Sequence, residues 1–342
     1  MAQNEIVEDD IGVRDVRGEW RPDRLPEPPP LFIWPPRLGA FVKWLFGNPG
    51  YFWPWNLFYV ALAVVTYFFL TPDITQMKSL EVGWIAAIYL RNLALLVVFA
   101  SIFQIRLYKQ KAQGKKYKYN ARWLGTKSNS FLFGDQLWDN VFWSIVSGCT
   151  IWTTYEVLMW WAYANNVIPY VSWTEHPIYC LVLLLLIPVW RDFYQYWGHR
   201  FIHWEPLYRI SHYVHHKNVN VGPWSGISMH PIEHLIYFSV VLTFWLVPSN
   251  PFHMLFTMLH AGIAPTQAHI GFDEIVIRGD TRLSNDNFFH YLHHRYFTVN
   301  YGGDGTVPLD KWFGSFHDGS PEAQSKLRAS RRLKPGSSQN EA

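Results

Sequence analysis

The sequence predicts an all-α membrane protein: about four transmembrane helices plus a membrane-dipping helical hairpin, capped by a cytosolic helical region that carries most of the histidines. Three observations predict this. Charged residues make up only 16% of the 342 while aromatics reach 18%, against roughly 25% charged in soluble domains. Four segments stay apolar over the length of about 20 residues that a helix needs to cross a bilayer. Eight histidines fall in three short boxes, all beyond or at the end of the last apolar segment.

The chain opens acidic (EIVEDD) and turns proline-rich (RPDRLPEPPPLFIWPP), without the basic start and apolar core of a signal peptide. Residues 1–50 therefore read as an extended, solvated cytosolic tail. The spans follow at about 51–70, 84–104, 138–163 and 177–197. Between the second and third lie Arg106, Lys109, Lys111, Lys115, Lys116, Lys118, Arg122 and Lys127 before the first acid, Asp135. The 71–83 loop has one lysine and the 164–176 loop has neither lysine nor arginine. The positive-inside rule puts the basic loop and both termini in the cytosol, so the chain after Trp197 emerges there too. Nineteen tryptophans and nineteen tyrosines suit extensive headgroup-level surface. A net charge of +3, scattered along the chain, excludes nucleic acid as a partner. Cys149 and Cys180 lie in apolar runs with no C-x-x-C, and read as core residues.

A fifth apolar region, 234–265, is broken by VPSNP. Each arm is about 15 residues, roughly 22 Å of helix, short of the ~30 Å hydrocarbon core. It reads as a hairpin that dips into the membrane and returns. Arg91 and Glu156 each stand seven residues inside the outer end of a span, at matching depth on antiparallel helices. An unpaired charge there is expensive, so they read as a structural ion pair.

His199 and His203 form H-x-x-x-H; His212, His215 and His216 form H-x-x-H-H, as do His290, His293 and His294. On a helix, positions three and four apart share a face, and the neighbour in each doublet points about 100° away toward a second site. Eight neutral nitrogens exceed the four of a structural zinc site and suit two metal ions with open positions. A lone histidine is an ordinary hydrogen-bonded residue, and His176, His253, His260 and His317 read that way.

The stretches DFYQYWGHRFIH (192–203), HYVHH (212–216), HPIE (230–233), AHIGFD (268–273), HYLHHRYFTVNYG (290–302) and LDKWFGS (309–315) together resemble the fatty acid hydroxylase/sterol desaturase superfamily of integral membrane diiron oxidases. The resemblance runs from about 178 to 316, with the boxes inside 192–316 of a single membrane domain, 51–317. It implies a diiron centre that uses O2 to hydroxylate or desaturate a C–H bond of a lipid (sterol, fatty acyl or related). It also implies that His230 and His269 join the ligands. The sequence departs from the family pattern at His234 and Pro308.

Metal-bound imidazoles donate their other N–H to a carboxylate or carbonyl. Asp192, seven residues before His199 on one helical face, Glu233, His234 and Asp310 are the candidates for such support. Asn300 reads as a turn residue closing the last box. No G-x-G-x-x-G follows a strand, so electrons come from an external donor, a cytochrome or ferredoxin with its reductase. The basic 106–127 loop reads as a topology signal. H-E-x-x-H is absent, which excludes that class of zinc protease. The alternative is a histidine-rich membrane metal-binding or metal-transport protein without redox activity, although transport places such residues within the spans. The expected location is a bacterial inner membrane or the endoplasmic reticulum. Residues 318–342 are polar and expected to be disordered.

Overall fold

The computed structural model describes residues 6–332 apart from Asp10 and Val16. Four long helices form its body: α2 (Phe52–Phe69), α3 (Val82–Lys109), α4 (136–164) and α5 (Pro177–Ile202), preceded by a short α1 (Leu38–Phe46). Among the described residues, three helices are long and apolar enough to cross a membrane: α2, α3 and α5. The fourth expected span, α4, is long enough but less apolar. It buries Gln136, Asp139, Asn140, Ser144, Ser147, Thr153 and Glu156 against the protein, so its polar residues serve interhelical contacts rather than lipid.

The apolar hairpin is α7 (Pro231–Trp245) followed by α8 (Pro251–Ala268). It returns to the end from which it started, but its turn reaches the far end of the bundle. There Ser249 N–H donates to the Pro169 carbonyl (3.0 Å) and Tyr179 OH to the Pro248 carbonyl (2.7 Å). Every residue of α8 from Pro251 to Gln267 is buried. Its apolar character reflects a place at the centre of the protein, where it packs so closely that a Cβ on Gly262 would lie 2.6 Å from the Trp152 ring. Hydropathy alone does not separate that environment from lipid.

Arg91 and Glu156 form a buried ion pair between α3 and α4, with side chains 5% and 0% exposed. Asn92 Nδ2 (2.9 Å) and Trp160 Nε1 (3.0 Å) donate to the same carboxylate, and Arg91 also donates to Thr71 Oγ1 (3.1 Å).

The opposite end of the bundle carries the histidines, on α5, on α6 (208–216) and on α9 (Phe288–Tyr296), with a β-hairpin of Glu274–Arg278 and Thr281–Ser284 beside them. The basic loop packs on this hairpin: Tyr119 N–H donates to the Gly271 carbonyl (3.1 Å) and Gln113 Nε2 to the Glu274 carbonyl (2.9 Å).

Both expected tails differ. Ile6–Asp9, Gly12–Arg14 and Trp20–Pro22 form an antiparallel three-stranded sheet. Trp20, 1% exposed, packs on the rings of Tyr117 and Tyr119, and Glu19 pairs with Arg295 of α9 at 2.6 Å. One buried tryptophan supplies an apolar anchor that the proline-rich composition hides. At the other end, Pro321–Arg332 forms a helix, α10, opened by the proline favoured at a first helical position. Residues 333–342 lie outside the described residues.

Candidate metal centre

Nine histidines gather at that end in two groups. His199, His203, His212, His216 and His293 form the first; His215, His269, His290 and His294 form the second. Within each group, one ring nitrogen from every histidine lies within 4.8 Å of the others. The doublets divide as helical geometry requires: His216 and His293 turn to the first group, His215 and His294 to the second.

Ring orientation is fixed from behind. Nδ1 of His199 donates to the Tyr301 carbonyl (2.7 Å), Nδ1 of His293 to the Val299 carbonyl (2.6 Å), and Nδ1 of His269 to the Pro265 carbonyl (2.7 Å). Nδ1 of His212 meets Glu233 Oε1 at 2.8 Å. With the proton on Nδ1, each Nε2 presents a bare lone pair to its neighbours. The Nε2 atoms of the first group crowd together: 3.1 Å for His199–His212, 3.0 Å for His212–His203, 3.2 Å for His203–His293 and 3.0 Å for His293–His216. In the second group, His269 Nε2 lies 3.0 Å from His294, 3.1 Å from His290 and 3.4 Å from His215.

This arrangement fits a metal. Where the proton sits on Nδ1 of both rings, the facing Nε2 lone pairs repel, and a cation among them would convert that repulsion into coordination. Nitrogens about 2.1 Å from a shared ion and at right angles lie about 3.0 Å apart, which is the spacing found here. Protonation does not offer the same relief. Burial, together with His199, lowers His203 to about 2, and burial with neighbouring imidazoles holds His216, His293 and His294 well below the ordinary histidine value. A donor set of imidazoles without thiolate suits a transition metal such as iron or zinc.

The other expected site residues are placed differently. His230 does not join either group: it is half-buried at the N-cap of α7, where its Nδ1 accepts from the Ile232 N–H (3.3 Å). Its capping role turns it away from the metal centre. His234 sits between Ser147 Oγ (2.7 Å) and the Ile227 carbonyl (3.2 Å), tying α7 to α4. Asp192 accepts from the Thr306 N–H (2.6 Å) rather than from a histidine. Asp310 accepts from the N–H groups of Tyr301 (2.8 Å) and Gly302 (2.7 Å), so it steadies the carbonyl on which His199 rests. Of Asp192, Glu233, His234 and Asp310, Glu233 alone hydrogen-bonds to a clustered histidine. His176, His253, His260 and His317 lie outside both groups.

Sequence reasoning missed Asp304, whose carboxylate accepts from the N–H groups of Phe289 (3.2 Å) and His290 (3.0 Å) and so fixes the start of α9. A carboxylate within a glycine-rich turn just after a histidine box was the available signal. The carbonyls of Pro265, Val299 and Tyr301 carried none, since any residue offers a carbonyl. Asn300 closes the last box in the left-handed conformation (φ 51°), donating to the His317 carbonyl at 2.8 Å.

A cavity of about 230 Å3 opens beside the clusters. Its walls are faces of α5 and α8 and its floor includes His199, His215, His269 and His290. Arg191, His260 and Tyr237 give it a polar end: Arg191 donates to the His260 carbonyl (3.2 Å) and to Tyr237 OH (3.3 Å).

Fold and site thus define a helical membrane protein with two histidine clusters able to hold metal at one end of its bundle. Residues 184–315 match the fatty acid hydroxylase family. It is 32% identical over 139 residues to a Delta(7)-sterol 5(6)-desaturase of Gibberella zeae, covering 40% of this chain and 42% of that protein. A Delta(7)-sterol 5(6)-desaturase of Aspergillus fumigatus is 29% identical (41% and 50% covered), and a Delta(7)-sterol-C5(6)-desaturase of Nicotiana tabacum 28% (46% and 56%). The chain spans about half the length of these relatives. No solved structure matches significantly.

Proposed function

We propose that the protein is a membrane oxidoreductase that uses O2 and two iron ions to hydroxylate or desaturate a lipid, with electrons from an external cytochrome or ferredoxin and its reductase. The observation that carries this is the pair of imidazole clusters opening onto one cavity between membrane-crossing helices. Relatives named for sterol desaturation make a sterol the first substrate to test. The termini and clusters face the cytosol in this reading, following the basic 106–127 loop.

The first group would hold one ion through His199, His203, His212, His216 and His293, and the second group the other through His215, His269, His290 and His294. Bound iron supplies the redox chemistry by which O2 oxidises an alkyl C–H bond. The chain's own residues do the rest. The Tyr301, Val299 and Pro265 carbonyls hold three ring protons at Nδ1 and keep the opposite nitrogens available. Glu233 holds the proton of His212 at Nδ1 and supports its positive charge when coordinated. Burial of seven of the nine rings excludes water. The walls of α5 and α8 hold one carbon of the substrate near the centre, where a misplacement of about 1 Å can lower the rate roughly 100-fold.

The test is metal analysis of the purified protein with lipid profiling of cells that express it or its His215→Ala variant. Iron at two per chain and an O2-dependent change in membrane lipids, lost in the variant, is the expected result. One tightly bound zinc and unchanged lipids would replace this reading with metal binding alone.

A further inference from the structure

Residues 30–46 leave an apolar surface with no protein upon it. Leu38, Val42 and Phe46 follow one another at four-residue spacing on one face of α1, and are 77%, 48% and 69% exposed. Lys43 lies about 100° further round than Val42, toward water. On the inner side, Trp44 meets the ring of Tyr51 at 4.9 Å and lines a second cavity. α1 is therefore an amphipathic helix with its apolar stripe turned outward.

The stripe is part of a collar. Trp34, just before α1, is 87% exposed. Phe32 lies edge-on to Trp312 (5.2 Å), and the next residue, Phe313, lies against Trp197 of α5 (4.9 Å). Trp312, Phe313 and Trp197 are all exposed. In the other direction α1 runs through exposed Trp53 directly into α2. The collar thus joins two membrane-crossing helices at the end that bears the histidines.

We propose that this collar lies in the headgroup layer of the bilayer, with α1 in the membrane plane, and that lipid reaches the metal centre sideways through the cavity beneath α1. The entry route rests on the function proposed above; the membrane contact does not. Tryptophan-rich apolar surface continuous with spanning helices belongs at that level, and Arg37 and Lys43 are placed to meet lipid phosphates. The second cavity, about 400 Å3, shares Trp55, Asn56 and the 303–306 turn with the cavity at the clusters, so the two adjoin. A lateral route also spares the alkyl carbons of the substrate a passage through water.

The test uses the full chain in phospholipid nanodiscs, with single cysteines at Val42, Phe46 or Lys43 carrying a fluorophore; Cys149 and Cys180 are buried. Nitroxide-bearing lipid quenches labels at 42 and 46 severalfold more than iodide does, and the order reverses at 43. Iodide quenching at all three positions overturns the membrane contact. For the route, a photoreactive diazirine sterol or fatty acid marks the 303–306 turn, and Val307→Trp, which fills the second cavity, lowers that labelling at least fivefold with metal content unchanged. Equal labelling in the variant overturns the route. Neither readout requires turnover, so failure of the oxidase reading is seen separately.

Discussion

His199 and His212 face each other Nε2 to Nε2 at 3.1 Å, while the far nitrogen of each ring is held, one by the Tyr301 carbonyl and the other by Glu233. The two residues are thirteen apart in sequence on different helical segments, and a cation between them would make their approach favourable. Glu233→Gln removes the carboxyl group behind His212 and keeps the shape. Metal affinity is expected to fall about 10- to 100-fold, read by competition with a chelator of known affinity. Unchanged affinity would mean that Glu233 acts only in packing.

The Arg91–Glu156 pair answers to a double-mutant cycle. Glu156→Leu alone leaves a buried guanidinium uncompensated and is expected to destabilise by about 3–5 kcal/mol. Adding Arg91→Met should recover most of that loss, because the desolvated charge is gone. Denaturant unfolding in detergent measures both; a double variant as weak as the single would show that the pair is not the stabilising unit.

Acidification of the metal-free protein has a defined sign. His203, His293 and His294 titrate far below their unfolded value, with His203 lowered to about 2 by burial. The unfolded chain therefore binds more protons once pH falls below about 6.5, and each such ring removes up to about 1.4 kcal/mol of stability per pH unit. Stability is held above that pH and lost below it. Thermal unfolding at pH 7.5 and pH 5 should show a much lower Tm at pH 5, and metal should be released over the same range.

Gly226 touches the backbone of α8: a Cβ there would stand 2.4 Å from the Pro265 carbonyl and 2.6 Å from the Thr266 nitrogen. That carbonyl orients His269. Gly226→Ala is expected to cost about 1–3 kcal/mol and to weaken metal binding in the second group more than in the first, seen as reduced metal stoichiometry.

Trp20→Ala tests whether the N-terminal segment braces α9. Removing this buried ring from Tyr117 and Tyr119 is expected to cost about 3–5 kcal/mol, with faster proteolysis before residue 33. A wild-type Tm would show that the segment is dispensable.

Eight of the nine clustered histidines were legible because box spacing and imidazole chemistry act over one or two helical turns. His269 stands alone in sequence and came only through family resemblance, which also brought in His230, a residue that the structure uses as a helix cap. Asp192 has the right helical spacing from His199, but the 302–306 turn arrives beside it and takes its carboxylate. Trp20 was lost within a proline-rich stretch because its partners, Tyr117 and Tyr119, lie a hundred residues away.

What the sequence determined by itself is local: which segments are helical and apolar, and which faces carry nitrogen ligands. These follow from side-chain periodicity along a chain of fixed geometry. The tertiary structure alone decided that α8 is surrounded by protein instead of lipid, that the doublets feed two separate groups, and that anonymous carbonyls set the ring tautomers. Those outcomes depend on which distant segments pack together, and burial and hydrogen bonding act through space without regard to separation along the chain.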